Sequence, residues 1–190
     1  MYNTFTPIKL SIIATLAATS LFSTSVAFAG KGQDKAPGKP GDTTIVGLAL
    51  ATPDFGSLVE AILCFGPPTD NPVVDLLSGN RPFTVFAPNN EAFGDLLKGT
   101  DPCDLDSSFL FSVLAYHVSN GKRYANSVFD VDGPKMIEMF SGQSIIANSD
   151  FTITDLAEQT VTLGDLINVK ASNGVIHEIN SVLIPVAPEE

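Results

Sequence analysis

The chain has 190 residues, with 10 basic and 21 acidic side chains and a formal charge of −11. Such an excess of carboxylates repels phosphate backbones and anionic headgroups, which excludes nucleic acid and acidic lipid surfaces as partners. With no tryptophan and three tyrosines, the chain also lacks the material for an aromatic sugar platform.

Lys9 is the sole charge before Gly30, Leu10 to Val26 is an uncharged run, and Ala27-Phe28-Ala29 follows. Small residues at that point suit a signal peptidase, so residues 1–29 read as a secretory signal peptide. At roughly 20 residues the run is also long enough to stay as an uncleaved anchor. Without it, nine basic residues face 21 acidic ones, a formal charge of −12. Residues 30–42 are rich in Gly, Pro and Lys and read as a flexible linker, cationic through Lys31, Lys35 and Lys39.

The domain, residues 43–186, opens with helices. Thr52 and Pro53 suit a helix start, and Phe55, Leu58, Val59, Ile62 and Leu63 follow at helical spacing. Gly66-Pro67-Pro68 stops that helix, and Asn71-Pro72 starts a second that runs through Leu77. Phe83 to Ala87 is a strand by its β-branched and aromatic content. Pro88-Asn89-Asn90 ends it and caps a helix carrying Phe93, Leu96 and Leu97. Asp104 or Asp106 caps a fourth, with Phe109, Leu110, Val113, Leu114 and His117 on one face. From Met136 on, short apolar segments (137–140, 144–147, 151–153, 161–163, 167–171 and 175–184) alternate with Gly, Asn and Asp, which predicts a meander of strands. A helical first half and a β second half make one α+β domain.

Cys64 and Cys103 are the only cysteines. In an exported chain an even pair reads as a disulfide, and the alternative is two buried thiols. The bridge would close a loop of about 40 residues, worth roughly 4 kcal/mol in the chain-entropy model. Export without a lipid or GPI signal predicts an extracellular or periplasmic protein with no membrane span after cleavage.

Three stretches taken together resemble the fasciclin family: FTVFAPNNEAF (83–93), LAYHVSNG (114–121) and NGVIHEINSVLIP (173–185). The leading TIVGLALATPDFGSLVEAI also fits, so the likeness spans about Thr43 to Pro185. Its signature residues here are Phe86, Ala87, Pro88, Asn89, Phe93, Asn173, Gly174, His177 and Pro185. Asn180 departs from the pattern, standing where the family usually has an acid, and the Cys64–Asn71 segment is longer than usual. The resemblance implies a wedge-shaped, β-sandwich-like core flanked by helices. It also implies adhesion, matrix contact or carriage of a ligand, with Tyr116 and His117 in the segment that would bind.

The residues themselves offer little chemistry. There is no Gly-x-Ser-x-Gly elbow, phosphate loop or dinucleotide fingerprint. His117 and His177 lack companion ligands at metal spacing and read as structural, so no metal or cofactor is expected. Asp101, Asp104 and Asp106 cluster, and Asp130 to Gly133 has a calcium-loop flavour, but no Glu completes the coordination. The expectation is a non-enzymatic interaction module for an extracellular protein or polysaccharide. The alternative is a carrier of an apolar small molecule such as a carotenoid.

Overall fold

The structure, a computed structural model, describes residues 43–79 and 81–186. The signal-peptide reading and the linker reading, residues 1–42, lie outside these residues. The helices are α1 (Ile45–Ala51), α2 (Gly56–Leu63), α3 (Pro72–Ser78), α4 (Asn90–Leu97), α5 (Ser107–Tyr116) and α6 (Ala125–Val128). The strands are β1 (Phe83–Pro88), β2 (Val118–Asn120), β3 (Lys135–Glu138), β4 (Ser144–Ala147), β5 (Thr152–Thr154), β6 (Thr160–Thr162), β7 (Val169–Ala171) and β8 (Gly174–Ile179). They form two open four-stranded sheets, ordered β2-β1-β8-β7 and β3-β4-β5-β6.

The predicted meander holds for β3 to β6, which pair antiparallel in sequence. The last two strands depart from it. The hairpin of β7 and β8 crosses to the other sheet, where β8 lies parallel to β1. Every residue of β8 is buried, so it needs cover on both faces and takes a central position. Alternation along β1 divides the interior. Phe83, Val85 and Ala87 meet the helices, while Phe86 joins Ile137, Ile145, Ile153 and Val161 from the second sheet. The result is a helical layer over two facing sheets, an α+β arrangement.

Local chemistry sets the helix starts. Asn89 Oδ1 accepts from the Ala92 N–H at 3.0 Å and caps α4. Of the two candidates for α5, Asp106 is the cap, accepting from the Phe109 N–H. Thr52 makes no side-chain cap; its hydroxyl donates back to Leu48 O at the end of α1. Asn71 caps α3 and also donates to Ile62 O and Gly66 O, which folds the long loop after α2 onto its own helix. The bridge Cys64–Cys103 then ties that loop to the turn Pro102–Asp104. No single helix among the described residues is long and apolar enough to cross a membrane.

Gly174 is where the first helix meets the sheet. A Cβ there would stand 2.4 Å from both Ile45 Cδ1 and Phe83 O. Gly174→Ala is therefore expected to cost about 1–3 kcal/mol in urea unfolding, because backbone cannot yield as a side-chain tip can. Replacing both cysteines by alanine should cost roughly 4 kcal/mol in the same measurement, from the loop entropy returned to the unfolded chain.

Candidate functional site

The C-terminal turn of α5 delivers Tyr116 and His117 into the interior. Tyr116 is fully buried and His117 is 2 % exposed. The Tyr116 hydroxyl donates to Ser144 O at 2.9 Å and accepts from the Leu156 N–H at 3.2 Å. Burial pushes its pKa up to about 12.

His117 joins three parts of the chain. Its Nδ1–H donates to Val113 O at 2.7 Å, and Nε2 accepts from the Leu183 N–H at 2.9 Å. A backbone N–H can only donate, so the ring is the neutral tautomer with its proton on Nδ1. The His117 carbonyl accepts from the Phe86 N–H at 2.9 Å and couples α5 to β1. Burial lowers the ring's pKa from 6.5 to about 4.

Asp155 completes the arrangement on the same terminal segment. Oδ1 accepts from the Gln159 N–H, and Oδ2 accepts from the Ile184 N–H at 2.9 Å. Gln159 Nε2 donates to Val182 O, and Gln143 Nε2 to Val186 O. The chain from Val182 to Val186, which follows the last strand, is thus held through four side chains. Tyr116 and His117, expected in the segment that would bind, both lie inside the domain. The Tyr116 hydroxyl holds the backbone at Ser144 and Leu156, whereas His117 holds the terminal segment at Leu183.

The remaining signature residues build a similar framework. Asn173 Oδ1 accepts from the Ile45 N–H, while Nδ2 donates to Leu77 O and Gly79 O, so one side chain fixes α1 and the end of α3. Asn89 Nδ2 donates to Glu178 Oε1 and Asn180 Oδ1. Asn180 donates in turn to Thr162 Oγ1 and Leu163 O. An ionised acid at that position could not make those two donations. Phe93 and Pro185 are buried.

The two histidines do not converge. His177 Nε2–H donates to Arg123 O at 2.8 Å, and its ring stacks on Phe86 with centroids 5.7 Å apart. His177 therefore faces the second core, whereas His117 lines a cavity beneath the helices. That cavity, about 50 Å³, is walled by apolar side chains of α1, α2 and α3 and by Val85, Leu114 and Ile176. Both nitrogens of His117 are already occupied, so the cavity offers a ligand apolar contact only. Among the described residues, the group closest to metal spacing is Cys64, Asp101 and Cys103, within 4.8 Å. Two of its three atoms are bonded to each other as the disulfide. Asp101 and Asp130 accept from the backbone N–H of Cys103 and Asp132, so each closes its own turn.

The family described as Fasciclin domain matches residues 69–185. The chain belongs to the fasciclin-domain family. Protein sll1483 of Synechocystis sp. is 34% identical over 145 residues, covering 75% of this chain and 73% of that protein. Immunogenic protein MPB70 of Mycobacterium bovis is 32% identical over 140 residues, or 73% of this chain and 67% of that one. Among solved structures, the FAS1 domain pair from the insect cell adhesion molecule Fasciclin I matches with a TM-score of 0.59 at 16% identity. The match covers 76% of this chain and 51% of that one, and at this identity it shows the fasciclin fold alone.

Asp155 and Gln159 were not legible as site residues. They lie in an irregular turn, and only their spacing of four around a strand end hints at a side chain closing on backbone. The buried neutral histidine sets a pH dependence. The unfolded chain binds a proton at His117 near pH 6.5, and the folded chain refuses it until about pH 4. Stability present above pH 6.5 should therefore fall as the pH drops through that window, by about 3 kcal/mol. Urea midpoints from pH 7 to 4 should show His117→Gln lacking this component of the slope.

Proposed function

We propose that the chain is an exported, non-enzymatic module that docks an extracellular protein in adhesion. The observation that carries the reading is an apolar end on the second sheet. Val131 is 85 % exposed, Met136 73 % and Phe151 52 %. Met136 stands opposite Ile146, itself exposed, and Phe151 packs on Phe129 with centroids 5.3 Å apart. Phe151 also holds a φ of 64°, a conformation that costs a bulky residue strain. Exposed apolar side chains on and beside this sheet, Met136 with Ile146 and Phe151 against Phe129, suit a protein partner better than solvent. The interior supports the same reading, because Tyr116, His117 and Asp155 all bond to backbone and none is left to act on a substrate. The insect relative of the same fold is itself described as a cell adhesion molecule.

The apolar cavity favours a second reading, carriage of a small apolar molecule. Its volume of about 50 Å³ is well below the ~300 Å³ at which ligand pockets begin. A carotenoid-sized guest would have to lift α1 and α2 from the sheet.

Immobilised protein should retain cells or matrix proteins from its source. Val131→Asp with Met136→Lys should reduce that retention at least tenfold at an unchanged melting temperature. Equal retention by the variant would remove this surface from the account. Colour or lipid extracted from the purified protein would favour the carrier.

A further inference from the structure

A groove of about 620 Å³ lies between α2 and α4, on another part of the surface from Val131, Met136 and Phe151. Asn90 holds its two helices side by side, accepting from the Ser57 N–H and donating to Pro53 O, each at 2.9 Å. Cys103, disulfide-bonded to Cys64, is part of the groove lining. Leu63, Leu97 and Pro102 supply apolar wall, and Glu60 and Asp101 supply carboxylates. Gly94 and Gly99 leave the backbone open, since a Cβ at either would meet nothing within 4 Å. Lys98 stands in the adjoining loop but does not line the groove.

Other lysines of the domain are engaged elsewhere. Lys122 donates to Ala171 O and Ser172 O, Lys135 donates to Ser127 O, and Lys170 lies over the Tyr124 ring. The chain's most cationic stretch is Gly30 to Gly41, with Lys31, Lys35 and Lys39 at four-residue intervals. Between them stand Gly, Ala, Pro, one Gln and one Asp, with no bulky side chain to keep the stretch out of a narrow groove. In extended form at about 3.1 Å per residue, successive lysines fall roughly 12 Å apart.

We propose that this lysine-bearing segment of one copy occupies the Glu60–Asp101 groove of a second copy. Charge complementarity and the place where the segment joins the domain favour this pairing. The Thr43 carbonyl accepts from the Ser172 N–H at the turn between β7 and β8. That turn lies at the end of the sheet where β1 begins, beside Phe83. The first turns of α2 and α4 are clamped together at the other end, beyond Pro88. Donor segment and acceptor groove are thus different parts of the domain, and contacts that do not close reciprocally are head-to-tail. Such a chain of copies lets a one-domain module span two surfaces. The contact stands apart from the adhesion reading, since copies can associate whether or not cells are retained.

The test is carbodiimide cross-linking of the full chain, mixed from isotopically heavy and light copies. Cross-links between copies from Lys31, Lys35 or Lys39 to Glu60 or Asp101 are expected. They should vanish at about 0.5 M salt, where the Debye length shrinks to roughly 4 Å. Sedimentation should show self-association lost in Glu60→Gln with Asp101→Asn, and kept in Asp130→Asn with Asp132→Asn, which removes equal charge. Asn at 101 retains the acceptor for the Cys103 N–H. The proposal is overturned by cross-links confined within single copies, by none from these lysines, or by links reaching Asp130 and Asp150 as often. It is overturned equally if both variants associate alike.

Discussion

A peptide segment that is buried without belonging to a sheet must still find partners for its N–H and C=O groups, because each orphan costs about 1–3 kcal/mol. The stretch after β8 is such a segment: Val182, Leu183 and Pro185 are buried, and no strand is formed there. His117, Asp155 and Gln159 meet the demand through Leu183, Ile184 and Val182. The same histidine takes the Phe86 N–H on its own carbonyl, so helix, central strand and terminal segment meet at one residue. It can serve only while neutral, and burial keeps it so to about pH 4.

This requirement gives the family signatures a physical content. Asn89 and Asn173 each carry a side-chain amide that bonds across elements far apart in sequence. Gly174 admits the close approach of Ile45 to the first sheet. His177 fills the space beside Phe86 and closes on Arg123. These are the parts that specify the fold, and they lie inside it. Val131, Met136 and Phe151, which are exposed, lie outside the signatures, and the proposed docking surface is built from them.

Legibility from sequence followed the range of the interaction. Local rules found β1, the Asn89-capped helix, the Asn71-Pro72 start and the meander from β3 to β6, because period, cap and turn are read within a few residues. The parallel pairing of β8 with β1 joins residues such as Phe86 and His177, and no local pattern specifies such a register. The short β2 was lost in the run of apolar residues that ends α5. α1 went unread because its apolar residues show no clear period. The Tyr116-His117 segment was found by resemblance, but whether a tyrosine and a histidine face outward or inward depends on which carbonyls meet them. Phe151 could have been flagged only as an aromatic in an Asn-Ser-Asp turn.

His117 pins the terminal segment through the bond from the Leu183 N–H to its Nε2. Native-state amide hydrogen exchange tests it at Leu183 and Ile184, with Val85 in β1 as the internal reference. In the unaltered chain all three should exchange only by global unfolding. In His117→Leu, Leu183 and Ile184 should gain exchange by local opening at least tenfold faster than Val85. Equal protection of the three amides in the variant would contradict the account.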